Sequence, residues 1–274
     1  MEKRRKLAKL FFDWMGVLLA ISLLTLAVTG EWAPTSWSQA DAAGEAAAVQ
    51  AKTDGGGVPL ILVDAGHGGR DGGAKSASGV EEAGINLAVA KLVESGLREA
   101  GFAVKMTRKD ANALGESKRD DMQARRDMMR EEGIAAVVSI HMNKFGDSSI
   151  HGPMAFYMKG SAPGEALATA VIKAVCLKID HPKRPANPGD YFVLRESLAP
   201  AVIIECGFLS NASDEAKLQD AAHQRKLAEG IVAGVASYFA SGSQPAPEPA
   251  LFERSAGSVD SIEPAESSQQ NEPA

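Results

Sequence analysis

The chain has 274 residues, of which 45% are hydrophobic and 23% are charged, and these proportions are ordinary for a globular protein. They argue against a wholly disordered, collagen-like or polytopic membrane protein, and the aromatic fraction of 5% predicts a mainly aliphatic core. The formal net charge of -6 is the opposite of the basic footprint that nucleic-acid binding needs, so we expect no nucleic-acid partner.

The first 57 residues are typical of a targeting segment followed by a linker. A basic cluster at residues 3–9 precedes seventeen uncharged residues, 14–30, which are rich in Leu, Val and Ala. Basic residues before an apolar run predict export, so we expect residues 1–30 to be a signal peptide or membrane anchor. The alternative is a buried helix of the main domain. Residues 31–57, rich in Ala, Gly and Ser, are expected to be a linker.

The central part of the chain, residues 58–241, alternates short apolar runs with segments of helical periodicity. Strands are predicted at 60–63, 102–107, 135–140, 153–158, 191–194 and 201–204, and helices at 85–96, 118–132, 164–179 and 218–239. Such alternation predicts a single α/β domain with helices on both faces of one mostly parallel twisted sheet. Residues 242–274 carry six acidic residues and one basic residue, and we expect a disordered acidic tail there.

Three of the predicted strands end close to residues that a buried strand does not need. His67, His141 and Glu205 each lie within a few residues of such an end. In an open α/β sheet, ligands bind outside the carboxyl ends of the strands, so we expect these residues to meet at one edge.

Two histidines and one carboxylate form a common catalytic zinc site, in which the fourth position stays open for water. Besides His67 and His141, the chain offers Glu81 or Glu82 just before the first predicted helix, and Glu205 to move protons. The alternative is that these are hydrogen-bonded structural residues. It is weaker, because a carboxylate directly after an apolar run is costly to bury unpaired.

Other motifs in the chain give weaker indications of function. The glycine-rich loop at 66–73 does not match the phosphate-loop pattern, because Ala74 stands where the last glycine belongs. It does not match the dinucleotide-binding pattern either, because Asp71 stands where the third glycine belongs. Cys206 is expected to be a buried core thiol and not a nucleophile. The remaining histidines are expected to be structural or solvent-facing; they are His151, His181 and His223.

Five motifs follow one another through the core: DAGHGGRDGGA at 64–74, EEAGINLA at 81–88, MTR at 106–108, SIHMN at 139–143 and IIECGFLSN at 203–211. On these motifs the sequence resembles the zinc-dependent N-acetylmuramoyl-L-alanine amidases. The resemblance implies one Zn²⁺ per domain, held by His67, Glu82 and His141, with Glu205 as the catalytic residue. It favours Glu82 over Glu81 because the family's glutamate ligand stands four residues before an Asn-Leu pair, which is Asn86-Leu87 here.

The same resemblance implies a reaction, the cleavage of the amide bond between N-acetylmuramic acid and L-alanine in peptidoglycan. Glu205 is expected to take a proton from the attacking water and to deliver it to the leaving amine. Asp64 is expected to orient one of the histidines. Arg108 and Arg70 are candidates to meet carboxylates of the substrate, and the alternative is that either one forms an ordinary surface or structural ion pair.

A single exported catalytic domain is most similar to the germination-specific amidases of spore-forming bacteria. This similarity implies action on spore cortex, ahead of muramic lactam formation by a deacetylase in the same pathway. The chain would then act outside the cytoplasmic membrane, in the wall or cortex, either secreted or anchored to the membrane through uncleaved residues 1–30. Two alternatives stay open: another zinc peptidase or deacetylase acting on the cell wall, and a non-catalytic wall-binding module, against which the presence of Glu205 argues.

Overall fold

The computed structural model of the protein describes residues 57–242. Within that range the strands are β1 (Leu60–Ala65), β2 (Ala103–Met106), β3 (Ile134–Asn143), β4 (Met154–Met158), β5 (Ala186–Gly189) and β6 (Ala201–Phe208). The helices are α1 (Glu82–Glu99), α2 (Lys118–Met129), α3 (Ala162–Lys178), α4 (Phe192–Glu196), α5 (Ala212–Leu218) and α6 (Ala221–Ala240). The predicted signal or anchor segment, nearly all of the predicted linker and the predicted acidic tail lie outside the described residues.

The described strands form one sheet in the order β2-β1-β3-β6-β4-β5. Neighbouring strands run parallel except β4 and β6, which are antiparallel. The prediction of a single α/β domain built on a mostly parallel sheet is therefore confirmed, and the antiparallel pair makes the sheet a mixed one.

Helices cover both faces of this sheet, as predicted. Alternate strand residues point to opposite faces, so Val63 and Ile204 pack against α1, α3 and α6, whereas Leu62 and Ile203 pack on the other face with side chains of α2 and α4. The core is largely aliphatic on both faces. None of the helices within residues 57–242 combines the length and the apolar character that a membrane span requires.

One predicted strand is wrong. Residues 191–194 lie in and just before the short helix α4, where Val193 and Leu194 are buried in the core of the second face. A short apolar run does not by itself distinguish a strand from a short buried helix. The strand in this region is β5, which contains Pro188; proline is tolerated there because β5 is an edge strand and pairs with β4 alone.

The predicted helix at 218–239 is also divided differently. Leu218 ends α5, a helix that the periodicity did not indicate, and α6 begins after Asp220. The Asp220 carboxylate accepts a hydrogen bond from the backbone N–H of Ala222, which caps the start of α6. The cap at Asp220 therefore separates Leu218 from the rest of the predicted helix.

The strand order brings the predicted site residues to one edge of the sheet. β1, β3 and β6 are neighbours and run in the same direction, so their carboxyl ends lie side by side. His141 of β3 and Glu205 of β6 are direct partners in the ladder. The first residue of α1, Glu82, hydrogen-bonds to the backbone N–H of Met142 at the same edge.

Candidate metal centre

Three of the residues that the sequence predicted as metal ligands lie together at this edge. One ligand atom each from His67, Glu82 and His141 can be chosen so that all three lie within 4.8 Å of one another. His141 Nδ1 is 2.8 Å from Glu82 Oε1, and His67 Nε2 is 3.4 Å from Glu82 Oε2. The Glu82 carboxylate therefore stands between the two imidazoles.

The carboxylate of Glu82 is buried and held by several donors. Oε2 accepts a hydrogen bond from the backbone N–H of Ala74 at 2.7 Å, and Oε1 accepts one from Asn86 Nδ2 at 3.0 Å. Burial alone would raise the pKa of Glu82, but its hydrogen bonds with His141 and His67 outweigh burial and hold that pKa far below its usual range. The group is thus kept ionised, which a metal ligand requires.

Its neighbour Glu81 lies outside the cluster. The Glu81 side chain is 54% exposed and pairs with Lys75 at 3.1 Å. Of the two adjacent glutamates, Glu82 therefore lies with the two histidines and Glu81 does not.

His67 occupies an unusual backbone conformation. Its φ of 59° lies in the left-handed region, which costs a residue with a side chain about 1–3 kcal/mol and persists only where the surrounding contacts hold it. Its Nδ1 lies 3.0 Å from Asp71 Oδ2. Burial would lower the pKa of His67, but Glu82 and Asp71 together raise it to about 9. Glu82 likewise raises the pKa of His141 against the effect of burial.

Glu205 lies beside the cluster, and one of its two carboxyl oxygens accepts no hydrogen bond. Its Oε2 atom is buried and has no partner among the described residues. Burial raises the pKa of Glu205 to about 7, although the charge on His141 opposes this effect. Buried polar atoms without partners are rare in native proteins, so this carboxyl group is available to a ligand or to a reacting molecule.

This set of side chains fits a divalent cation such as Zn²⁺. Two imidazoles and one carboxylate are donors that Zn²⁺ prefers, and three protein ligands leave a position for water or substrate. The raised pKa values of His67 and His141 place positive charge beside the Glu82 carboxylate. A dication held by these three residues would supply that charge in place of the two protons.

Two supporting roles predicted from the sequence are corrected by the structure. Asp64 does not hydrogen-bond either histidine; its carboxylate accepts from Thr107, Arg125 and Ser139. Besides Glu82, the carboxylate that lies next to a histidine is that of Asp71, which is close enough to His67 because the glycine-rich loop at 66–73 folds back on itself.

Arg108 is also placed differently from the prediction. It is 3% exposed and donates to backbone carbonyls, including that of Ala65 at 2.9 Å, so it does not face a substrate carboxylate. Arg70 is exposed on the glycine-rich loop at 66–73.

Cys206 is buried, and burial raises the pKa of its thiol, as expected of a core cysteine. The other three histidines lie away from the cluster and line a separate cavity of about 350 Å³.

Sequence reasoning missed two buried residues that support the cluster. Asn86 lies one helical turn after Glu82 and donates both to it and to the Gly66 carbonyl. Arg125 of α2 donates to the His67 carbonyl at 2.7 Å. The spacing of Asn86 from Glu82 offered a signal, whereas Arg125 sits in a predominantly polar helix that gives no sign of a buried arginine.

Comparisons with known proteins show what the chain is similar to. A family model described as N-acetylmuramoyl-L-alanine amidase matches residues 61–237. A germination-specific N-acetylmuramoyl-L-alanine amidase of Bacillus subtilis is 30% identical over 195 residues, which are 68% of this chain and 82% of that protein. The CwlD amidase of Clostridioides difficile, whose structure was solved in complex with the GerS lipoprotein, is similar with a TM-score of 0.65 and 29% identity, over 67% of this chain and 99% of that one.

Other relatives are longer than the matched region. The probable cell wall amidase LytH of Staphylococcus epidermidis is 32% identical over 183 residues, which are 66% of this chain. The match spans only 58% of the length of LytH. The range matched by the family model, residues 61–237, contains His67, Glu82 and His141.

Proposed function

The chain belongs to the N-acetylmuramoyl-L-alanine amidase family, and we propose that it hydrolyses the amide bond between N-acetylmuramic acid and L-alanine in peptidoglycan. The observation that carries the proposal is the cluster of His67, Glu82 and His141 next to the unpaired carboxyl group of Glu205. A metal-ligand set beside a buried acid–base group is what metal-assisted hydrolysis of an amide requires.

His67, Glu82 and His141 would hold one Zn²⁺ in this domain. When bound, Zn²⁺ supplies a Lewis acid that polarises the substrate carbonyl and makes water a better nucleophile at neutral pH. The ionised carboxylate of Glu82, fixed by Ala74 and Asn86, keeps the ligands in place while the reaction proceeds.

Glu205 would move the proton in both halves of the reaction. Its carboxylate accepts a proton from the water whose oxygen attacks the lactyl carbonyl carbon. The C–N bond to L-alanine then breaks, and Glu205 returns the proton to the nitrogen of the leaving amine. Burial raises the pKa of Glu205, which favours holding the proton between its acceptance from water and its delivery to the amine.

A finer proposal concerns where the enzyme acts. Its similarity to the germination-specific amidase of B. subtilis supports a role in spore cortex, where removal of the peptide would precede muramic lactam formation by a deacetylase. The similarity to a probable cell wall amidase supports action on wall peptidoglycan more generally. In either setting the chain is exported, either secreted or anchored to the membrane through residues 1–30.

The test is to digest purified peptidoglycan with the full chain and to identify the products by mass spectrometry. The proposal predicts stem peptides with a free amino-terminal L-alanine, and glycan strands that have lost those peptides. Shortened stems that remain attached to muramic acid would identify a peptidase, and released acetate would identify a deacetylase. Binding without any product would identify a wall-binding module, and each of these three results contradicts the proposal.

A further inference from the structure

Two buried arginines hold the turn that carries His67. Arg108 and Arg125 both donate to the carbonyl of Ala65, from Nε at 2.9 Å and from Nη1 at 3.0 Å. Arg108 Nη2 donates to the next carbonyl, that of Gly66, at 2.9 Å. Arg125 Nη2 donates to the carbonyl of His67 at 2.7 Å. Three successive carbonyl groups are thus fixed by two guanidinium groups.

Arg108 also connects this turn to α1. The same Nη2 atom that contacts Gly66 donates to the carbonyl of Ala83 at 2.7 Å. Ala83 directly follows Glu82, so one guanidinium group fixes the backbone beside two of the three proposed ligands.

Arg125 is itself held in place by two acidic residues. Its Nε donates to Asp121 Oδ2 at 2.8 Å, one turn earlier in α2, and its Nη1 donates to the buried carboxylate of Asp64. The guanidinium group therefore has little freedom to move away from the carbonyls that it contacts.

The turn needs such restraint. His67 has a positive φ, and the turn packs so tightly that a Cβ added to Gly66 would lie 2.2 Å from Cε1 of His141. Because the backbone at Gly66 touches the ring of one proposed ligand while His67 carries another, a shift of this turn would displace both imidazoles.

We propose that Arg108 and Arg125 are positioning residues that preorganise His67 and Glu82 for metal binding. Both are 3% exposed and neither can contact peptidoglycan, so they act through the backbone on the proposed ligands. This inference rests on the proposed metal site.

A different explanation is that Arg125 only neutralises the charge of Asp64. Lysine separates the two explanations, because it keeps the charge but lacks the rigid fork of donors with which arginine contacts several acceptors at once. A lysine at position 125 could still pair with Asp64, yet it could not also donate to both Ala65 and His67.

The experiment measures the Zn²⁺ dissociation constant of the full chain by competition with a chromophoric chelator. Arg108→Lys and Arg125→Lys are compared with Arg126→Lys, the matched control. Arg126 is the next residue of α2, but its side chain is 40% exposed and pairs with Glu196. Changes to residues that orient metal ligands typically weaken metal binding about 10- to 100-fold, and we expect that loss for Arg108→Lys and Arg125→Lys but not for Arg126→Lys.

A second readout is the visible absorption spectrum of the Co²⁺-loaded protein, which reports ligand geometry and does not depend on activity. Altered spectra are expected for Arg108→Lys and Arg125→Lys, and an unchanged one for Arg126→Lys. Circular dichroism in the presence of chelator establishes that each variant is folded. If a lysine variant does not fold, Asp121→Asn, which weakens the hold on Arg125 and leaves both arginines in place, is measured in its stead.

Zn²⁺ affinities and Co²⁺ spectra of the folded variants that match those of the unmodified chain would overturn the inference. An unmodified chain that binds no Zn²⁺ would contradict the metal site itself, and with it both the proposed function and this inference. The two failures are therefore distinguishable in the same set of measurements.

Discussion

Glu81 and Glu82 are adjacent in the chain but lie in opposite environments. Glu82 is buried between His67 and His141, whereas Glu81 is half exposed and pairs with Lys75. We predict that Glu82→Ala loses bound Zn²⁺, because it removes one of three ligands, and that Glu81→Ala keeps it. Elemental analysis of the two purified variants after zinc reconstitution is the measurement. Zinc retained by Glu82→Ala and lost by Glu81→Ala would move the ligand to the neighbouring residue.

Glu205 is expected to be the proton carrier and not a ligand. Glu205→Gln has nearly the same shape but cannot accept a proton from water. General acid–base catalysis contributes about 100- to 10,000-fold, so turnover on peptidoglycan should fall at least about 100-fold, which is roughly 2.7 kcal/mol of barrier. Zinc content should stay unchanged.

The control for this variant is Glu81→Gln, which makes the same chemical change at an exposed carboxylate and should keep both zinc and turnover. If Glu205 only stabilises the end of β6 by hydrogen bonding, Glu205→Gln should be nearly as active as the unmodified chain, and full zinc with near-normal turnover would remove it from the mechanism. Lost zinc would make Glu205 a ligand.

At the scale of single residues, the sequence was informative where a polar side chain comes at the end of an apolar strand. His67 follows β1, and His141 and Glu205 lie toward the carboxyl ends of β3 and β6. Because these ends converge in a parallel sheet, the meeting of the three residues could be predicted. The roles of Asp64, Asp71, Arg108 and Arg125 could not be predicted, because each depends on which carbonyl or carboxylate a folded turn brings within hydrogen-bond distance. Charge alone suggested that Arg108 faces a substrate, and its burial against backbone carbonyls corrects that expectation.

At the scale of elements, α3 and α6 pack through glycines. A Cβ added to Gly234 would lie 2.4 Å from the Cα of Val171, and one added to Gly230 would lie 2.6 Å from the Cα of Val175. Backbone atoms cannot move aside as a flexible side chain can, so the helices must separate to admit a methyl group.

We therefore predict that Gly234→Ala lowers the free energy of unfolding by about 1–3 kcal/mol through overpacking. Gly84→Ala is the matched control, since Gly84 also lies within a helix but has open space around its Cα. There the gain in helix propensity should stabilise the protein by up to about 1 kcal/mol. Urea denaturation monitored by circular dichroism measures both variants, and equal shifts in the same direction would contradict the close packing of α3 against α6.

Elements with strong apolar runs were predictable, and those defined by polar caps or by partners were not. The runs in β1, β3 and β6 are buried on both faces, and such strands stand out in any sequence. The antiparallel pairing of β4 with β6 and the edge position of β5 depend on the path of the chain through the fold. The break between α5 and α6 depends on the hydrogen bond that Asp220 accepts, which apolar periodicity does not reveal.

At the scale of the whole molecule, the segment before the described domain is predicted to export it. Residues 1–57 joined to a reporter that works only outside the cytoplasm should yield an active reporter, because a basic cluster precedes an apolar run. The same fusion with Lys3, Arg4, Arg5 and Lys6 changed to glutamate should yield less, since the positive charges set the orientation. A silent reporter that is expressed at normal levels from the unmodified segment would contradict export.

We propose that this chain is a metal-dependent amidase whose metal is held by His67, Glu82 and His141. The most direct measurement is the rate at which free amino-terminal L-alanine appears in digested peptidoglycan, taken before chelation, after chelation and after one equivalent of Zn²⁺ is restored. The rate should fall to background when the metal is removed and recover when Zn²⁺ is restored. An undiminished rate in protein that elemental analysis shows to be free of metal would contradict the proposal.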